Sequence, residues 1–351
     1  MKDDKKSINL LLSTCGILAL LSFVVLLLVA VTGAFYLYPA ASYTFTDSKT
    51  VNSTGKSEPV TSIEKDEVWR APALSSLTGN PEEKSITYGR ELIAHTAKYL
   101  GPEGSVLQIS NGMNCQNCHL DAGTKIFGNN YSRVFSTYPK FRKRSGSEED
   151  IYKRINDCLE RSLNGKPLPL HSEELKAMAA YINWVGRDVK KGDEPEGAGL
   201  YEIALLDRAA SPEKGKLVYE TRCQTCHSEN GQGQKKAGAT EYLYPPLYGD
   251  NSYNVSAGLY RISNFAKFVK ANMPLGATYD KPILSDEEAW DVAAYVNSMP
   301  RPQKTFKQDW PEIADKPFDH PFGPYADAFT EKQHKYGPFQ EIKQAQQKKA
   351  L

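Results

Sequence analysis

The pattern Cys-x-x-Cys-His occurs twice in this chain, and it limits the possible folds more than any other feature. The copies are Cys115–His119 and Cys223–His227. This spacing is typical of haem c attachment, in which two thiols bind the porphyrin and the histidine is the proximal iron ligand. Zinc sites also use cysteine and histidine, but two copies in a repeated helical pattern favour haem. The residues predicted to hold two covalently bound haem c groups are Cys115, Cys118, His119, Cys223, Cys226 and His227.

A longer repeat follows the two motifs. Ser172–Ile182 and Asp286–Val296 both carry apolar residues at helical spacing, and both contain an Ala-Tyr pair. The tyrosines, Tyr181 and Tyr295, are 114 positions apart. The repeat predicts two related helical domains.

Each half also has a predicted helix before its haem motif. In the first half this helix is Ser85–Leu100, which ends at Gly-Pro. In the second half it begins with Ser211 at the N-cap and Pro212 at the first helical position. We expect each to pack against the Ala-Tyr helix of its own domain, as in small c-type cytochromes.

The repeat also points to the sixth iron ligands. A methionine between the haem motif and the terminal helix is the usual sixth ligand of a single-haem cytochrome, so Met273 is predicted for the second haem. Met299 and Lys270 are the alternatives. The same offset places Cys158 beside the equivalent of Met273. A thiolate ligand there would lower the reduction potential of the first haem, whereas a small buried hydrophobe is the other interpretation of Cys158.

Cations surround Cys158 in the sequence. Tyr138–Gly146 is a compact basic loop, and Arg154 and Arg161 lie four residues before and three after Cys158. On a helix, residues at these two spacings lie on the same side as Cys158. Charge runs are usually solvated, but the arginine fork also suits anions with several oxygens. The cluster therefore predicts a small anionic substrate.

The N-terminal region is apolar enough to cross a membrane. Ser7–Thr46 has no charged side chain, and a span needs roughly 20 apolar residues. A cleaved signal peptide is the alternative, although its apolar core is normally shorter. Lysines before the run favour a cytoplasmic N-terminus. We expect an anchor in the cytoplasmic membrane with the haem domains on the periplasmic side, where haem c is normally assembled.

The predicted fold is mainly α, with two tandem cytochrome c-like helical domains behind a transmembrane helix. The 351 residues suggest about two soluble domains plus additional segments, and the formal net charge of +1 gives no reason to expect nucleic acid. An aromatic-rich, irregular extension should follow the domains and end in a solvated stretch. The predicted segments are an anchor at 1–46, a linker at 47–79, domain 1 at 80–195, domain 2 at 196–303 and the extension at 304–351.

Four motifs resemble those of the dihaem thiosulfate dehydrogenases (tetrathionate synthases). They are Asn111–His119, Phe127–Asn130, Tyr138–Arg142 and Asn156–Gly165, within a resemblance that covers roughly residues 85–302. The resemblance implies that the first haem is the active site and the second passes electrons on. The implied iron ligands are His119 and Cys158 for haem 1, and His227 and Met273 for haem 2. The implied substrate contacts are Arg144 and Ser162, with Arg161 as a further candidate.

The activity implied by this resemblance joins two thiosulfate ions into tetrathionate, or runs in reverse. Electrons would leave for an electron-accepting cytochrome or a membrane respiratory component. One alternative is a membrane-tethered dihaem electron carrier without its own substrate, which has no need of Cys158 or the basic loop. Another is a dihaem peroxidase, which requires an open iron position.

Overall fold

A computed structural model describes residues 68–349, and these are mainly helical. The predicted membrane anchor and most of the predicted linker lie outside this range. Within 68–349 no helix has both the length and the apolar character needed to cross a membrane. Trp69, inside the predicted linker, is buried, and its backbone N–H donates to Glu196 O at 2.9 Å. The chain therefore packs as part of the folded body from Trp69 onward.

The helices fall into two similar sets followed by a C-terminal pair. The first set is α1 Glu83–Ala94, α2 Thr96–Leu100, α3 Leu120–Gly123, α4 Val134–Thr137, α5 Ile151–Arg161 and α6 Glu173–Val185. The second is α7 Pro212–Arg222, α8 Gln224–His227, α9 Ile262–Asn272 and α10 Asp286–Ser298. The last pair is α11 Glu331–Tyr336 and α12 Gln340–Lys349. Short 3₁₀ turns cover Leu74–Leu77, Cys115–Asn117, Gly258–Tyr260 and Ile313–Asp315.

The strands are short and form two antiparallel pairs. Strands β1 Lys140–Arg142 and β2 Ser147–Glu149 make a hairpin in the first half, with Arg142 opposite Ser147. Strands β3 Gln234–Lys235 and β4 Tyr242–Tyr244 pair in the second half. The predicted basic loop is thus the β1–β2 hairpin.

The two helical sets share the same close helix crossing. At Gly89 on α1, an added Cβ would lie 1.9 Å from Ala177 O on α6. At Gly215 on α7, it would lie 1.8 Å from Asp291 O on α10. Ala177 and Asp291 are 114 positions apart, which is the offset found in the sequence. Only glycine lets the helix backbones approach this closely, and the equivalent crossings confirm the predicted repeat.

The first predicted helix, Ser85–Leu100, is interrupted. His95 leaves helical geometry at φ −126° and ψ 43°. The N–H of Ala97 donates to the side chain of Asn114 at 2.7 Å instead of to a carbonyl one turn back. A side chain from the haem motif loop thus replaces a helical hydrogen bond. The predicted cap of α7 is confirmed, since Ser211 accepts from Lys214 N with Pro212 at the helix start.

The C-terminal extension is more ordered than the sequence suggested. Helices α11 and α12 end it, whereas an irregular segment with a solvated end was expected. Phe339 and Ile342 are almost fully buried, and the Phe339 ring lies 5.6 Å from that of Trp290 on α10. The extension therefore packs onto the second helical set, although most of α12 faces solvent.

Candidate active site

A cavity in the first helical set brings the first haem motif and Cys158 together. Its lining includes Cys115, Cys118 and His119 from the motif, and Cys158 and Ser162 from α5 and its end. The remaining wall is almost entirely apolar. It consists of Ile93, Asn114, Tyr131, Val134, Ile151, Arg154, Ile155, Leu159, Leu163, Met178 and Ile182.

His119 is prepared to bind a metal through one ring nitrogen. Its Nδ1 lies 2.5 Å from Asn129 O, to which it donates, and this leaves the other ring nitrogen free to bind. Burial lowers the pKa of His119 to about 4, so the imidazole is neutral at physiological pH. The Tyr131 ring packs against it with centroids 4.7 Å apart. A neutral, oriented imidazole is the form that binds haem iron.

Cys158 lies in the last turns of α5 and contacts an arginine of the same helix. Arg154 Nη1, one turn earlier, donates to Cys158 Sγ at 2.8 Å. The predicted i−4 placement of Arg154 is thus confirmed. The guanidinium thus places a positive charge and a hydrogen-bond donor directly at this sulfur. Helix α5 starts at a good cap, since Asp150 accepts from Lys153 N at 2.8 Å.

Arg144 lies in the turn of the β1–β2 hairpin and lines a neighbouring cavity, together with Ser256, Phe306 and Trp310. Its Nη1 donates to Ser256 O at 3.3 Å. Burial, followed by the charge of Arg161, lowers the pKa of Arg144 to about 10, so it remains a cation at neutral pH. The structure thus separates Arg144 from the cavity wall that holds Cys158 and Ser162.

Arg161 is engaged elsewhere. Its guanidinium makes two hydrogen bonds to Asp309 at 2.6 and 2.8 Å, and it lies 3.8 Å from the centre of the Phe306 ring. Only 5% of Arg161 is exposed. This arginine therefore joins the end of α5 to the C-terminal extension.

A second cavity surrounds the second haem motif. Cys223, Cys226 and His227 line it, and Met273, directly after α9, lies on the same wall. His227 Nδ1 donates to Pro245 O at 2.8 Å, and burial lowers the pKa of His227. The binding nitrogen is free here as well.

Lys270 and Met299, the alternative sixth ligands of the second haem, have other surroundings. Lys270 Nζ donates to Leu284 O at 2.8 Å and forms an ion pair with Asp286 at 2.7 Å. Met299 directly follows α10 and is not among the residues that line the second cavity. Met178, interpreted from sequence as a core residue, is 1% exposed and also forms part of the first cavity wall.

The two cavities meet at the first haem motif. Asn114 and Cys118 line both of them. Across residues 68–349 no group of three or more His, Cys, Asp or Glu side chains is arranged to hold a metal ion. The mixed thiol, imidazole and apolar surroundings of the two Cys-x-x-Cys-His segments fit a haem.

Family models match the two halves separately. The SoxA/TsdA cytochrome c domain matches residues 107–190, and the cytochrome c domain matches residues 212–300. The thiosulfate dehydrogenase of Psychrobacter arcticus is 36% identical over 253 residues, which are 71% of this chain and 73% of that protein. The chain belongs to the thiosulfate dehydrogenase family. Two covalently bound haem c groups, one per domain, follow from this membership and from the two motifs.

Other thiosulfate dehydrogenases agree. That of Allochromatium vinosum is 37% identical over 235 residues, or 66% of this chain and 83% of that protein. A solved structure of thiosulfate dehydrogenase (TsdBA) from Marichromatium purpuratum, in its as-isolated form, matches with a TM-score of 0.62 and 27% identity. The match covers 78% of this chain and 54% of that chain, so this chain spans about half of the solved one.

Some groups at the site were not predicted from the sequence. The carbonyls of Asn129 and Pro245 orient the two histidines, and Asp309 holds Arg161. A backbone carbonyl gives no residue-type signal. Asp309 is 148 positions from Arg161, in a segment without periodicity, so no local pattern links them.

Proposed function

We propose that this chain oxidises two thiosulfate ions to tetrathionate, with Cys158 and His119 as the iron ligands of the first haem. The observation that carries the proposal is the placement of Cys158 in the cavity of the first haem motif with Arg154 donating to its sulfur. A cysteine with a dedicated cation beside a haem motif is not needed for electron transfer alone. Membership of the thiosulfate dehydrogenase family supplies the substrate.

The proposed chemistry uses Cys158 as a nucleophile. Its thiolate forms a bond to the terminal sulfur of one thiosulfate dianion. This gives a cysteine S-thiosulfonate (Cys–S–S–SO3⁻) and releases two electrons. The terminal sulfur of a second thiosulfate then attacks the sulfur bonded to Cys158. An S–S bond forms in tetrathionate, and the bond to Cys158 breaks and returns the thiolate. The net change is two thiosulfate dianions to one tetrathionate dianion and two electrons.

The chain's own cations offset the repulsion between these anions. Arg154 stabilises the departing thiolate through its hydrogen bond to Cys158 Sγ. Ser162 places a hydroxyl in the same cavity, where it can donate to a sulfonate oxygen. We assign Arg144 to the approach of the anion from the neighbouring cavity, and we assign Arg161 a supporting role because Asp309 occupies its donors.

Electrons are proposed to leave through the second haem, with His227 and Met273 as ligands. When bound, each haem supplies one-electron redox capacity, so the pair can accept both electrons. The shared wall at Asn114 and Cys118 brings the two sites close together in support of this route. The expected acceptor is a cytochrome or a membrane respiratory component. We further propose that residues 1–46 anchor the chain in the cytoplasmic membrane, with the haem domains on its periplasmic side.

The proposed function is tested by adding thiosulfate to the oxidised protein without oxygen. Both haems should become reduced, as seen in their visible absorption, and tetrathionate should appear. Sulfate serves as the matched control because it is an oxyanion of the same charge but has no sulfur that can be oxidised or bond to Cys158. A protein with both haems that stays oxidised in thiosulfate would contradict the proposal.

Replacing Met273 with alanine should remove the weak far-red absorption band of the oxidised second haem. The band reports a methionine sulfur on ferric iron, and Met273 lies on the wall of the second cavity. The midpoint potential of that haem should change as well, because the axial ligand sets it. Met299→Ala is the matched control and should keep the band. Loss of the band in the Met299 variant alone would assign the ligand to Met299.

Replacing Arg144 with alanine should lower kcat/KM for thiosulfate by about 10- to 100-fold, the effect of losing one charge-assisted hydrogen bond. Haem absorption should not change, since Arg144 lies outside the cavity of the first motif. Lys140→Ala removes a cation from the same hairpin, where it is exposed, and is expected to act like wild type. Equal kinetics in the two variants would make the hairpin a solvated surface.

A further inference from the structure

The segment after the second cytochrome c domain reaches back to the α5 end of the first set. The matched cytochrome c domain ends at residue 300. Beyond it, Lys304 Nζ donates to Gly165 O at 2.7 Å, close after the end of α5. Lys143 Nζ, in the hairpin turn, pairs with Asp315 at 2.8 Å. These contacts join residues 304–315 to the two segments that carry the predicted substrate groups.

Asp309 and Phe306 enclose the guanidinium of Arg161. Asp309 accepts both hydrogen bonds of the fork, and the Phe306 ring stacks on its face at 3.8 Å. A buried arginine with a bidentate carboxylate is held in one geometry. Arg161 directly precedes Ser162 and is three residues from Cys158, so this pair fixes the end of the helix that carries the proposed nucleophile.

Trp310 holds the hairpin. The backbone N–H of Trp310 donates to Arg144 O at 2.6 Å, and the Trp310 ring centre lies 5.4 Å from the Arg144 guanidinium. Trp310 has φ +61°, which is unfavourable for a bulky side chain. The tight turn thus presents a backbone donor and an aromatic face to the same arginine.

We infer that residues 306–310 position the active site, with Asp309 acting through Arg161 and Trp310 acting through Arg144. These are positioning residues, since Asp309 and Trp310 line the cavity of Arg144 and are not among the residues that line the cavity of Cys158 and the first haem motif. The inference rests on the proposed function for its kinetic consequences. Farther along the extension, Asp319 pairs with Arg261, which directly precedes α9 of the second helical set.

The segment has a definable effect on charge as well as on geometry. Burial and then the charge of Arg161 lower the pKa of Arg144, whereas Asp309 raises it, so the Asp309 carboxylate offsets part of the repulsion between the two arginines. Without Asp309, the buried Arg161 and the half-buried Arg144 would repel each other, and we expect the hairpin turn and the α5 end to move. Correct placement of an anion requires both to stay fixed.

The test compares two variants of the full-length protein with both haems, Asp309→Asn and Trp310→Gly. Asp309→Asn keeps the shape and removes the charge. Trp310→Gly removes the ring, and glycine accepts the positive φ. Glu312→Gln is the matched control, because it removes one carboxylate from the same segment, where the side chain is exposed. Asp309→Glu restores the charge.

Two readouts are expected to change together. Hydrogen exchange should become faster in residues 140–149 for Trp310→Gly and in residues 158–165 for Asp309→Asn. The kcat/KM for thiosulfate should fall about 10- to 100-fold in both, mainly through KM. Haem absorption and both midpoint potentials should match wild type, and Asp309→Glu should recover most of the loss. In an Arg161→Met background, Asp309→Asn should cause no additional loss.

If the hydrogen exchange and kinetics of Asp309→Asn or of Trp310→Gly equal those of Glu312→Gln, the residue replaced in that variant does not position the active site. A lower KM in Asp309→Asn would also overturn the positioning role of Asp309, because the carboxylate would then only repel the substrate. If the wild-type protein does not oxidise thiosulfate, the proposed function fails, and the exchange rates alone decide whether residues 306–310 position the hairpin and α5.

Discussion

Replacing Cys158 with methionine is expected to abolish thiosulfate oxidation, lowering kcat by about 1,000-fold or more, as removal of a nucleophile does. Methionine keeps a sulfur ligand available to the first haem but has no thiolate to bond a second sulfur. Both haems should remain attached, because Cys115 and Cys118 hold the first through their own thiols and the second motif is untouched.

The same variant should raise the midpoint potential of the first haem. A neutral thioether stabilises ferric iron less than an anionic thiolate does, so reduction becomes easier. Spectroscopic redox titration measures this shift separately from turnover. Full activity in the Cys158→Met protein would rule out the thiolate chemistry, and an unchanged potential would show that Cys158 does not bind iron in the wild type.

Replacing Arg154 with methionine should have the next largest effect, a loss of about 100- to 1,000-fold in kcat/KM for thiosulfate. Arg154 Nη1 is 2.8 Å from Cys158 Sγ, and its charge would offset the negative charge that develops on this sulfur when tetrathionate leaves. Methionine retains much of the apolar length and so limits the packing change.

Two further variants separate charge from geometry at Arg154. Arg154→Lys keeps the cation without the planar fork and should retain intermediate activity. Lys166→Met removes an exposed cation soon after α5 and should behave as wild type. If Arg154→Met lost no more activity than Lys166→Met, the hydrogen bond to Cys158 would have no role in turnover.

The repeated elements were predictable because their signals are local. Each haem motif occupies five consecutive residues, and the Ala-Tyr helices share an apolar spacing that depends on helix geometry alone. The offset between the halves drew attention to Cys158 and Met273, and each lines the cavity of its own haem motif. The glycine crossings at Gly89 and Gly215 confirm the same repeat in three dimensions.

The unpredicted features depend on contacts between distant segments. The break of the first helix at His95 comes from the side chain of Asn114, which takes the N–H of Ala97. Arg161 has the helical spacing expected of a substrate contact, yet its donors are occupied by Asp309 from the C-terminal extension. Helical spacing gives the side of a helix on which a residue lies, but not the partner that another segment brings to it.

The most direct test of the central claim is the stoichiometry of thiosulfate oxidation with an artificial electron acceptor, measured in wild type beside Cys158→Ala. The account predicts one tetrathionate and two electrons for every two thiosulfate ions in wild type. It predicts no tetrathionate from the alanine variant, although both haems remain attached. A wild-type protein with both haems that passes electrons from a reduced donor to the acceptor but does not oxidise thiosulfate would contradict the account and favour a dihaem electron carrier.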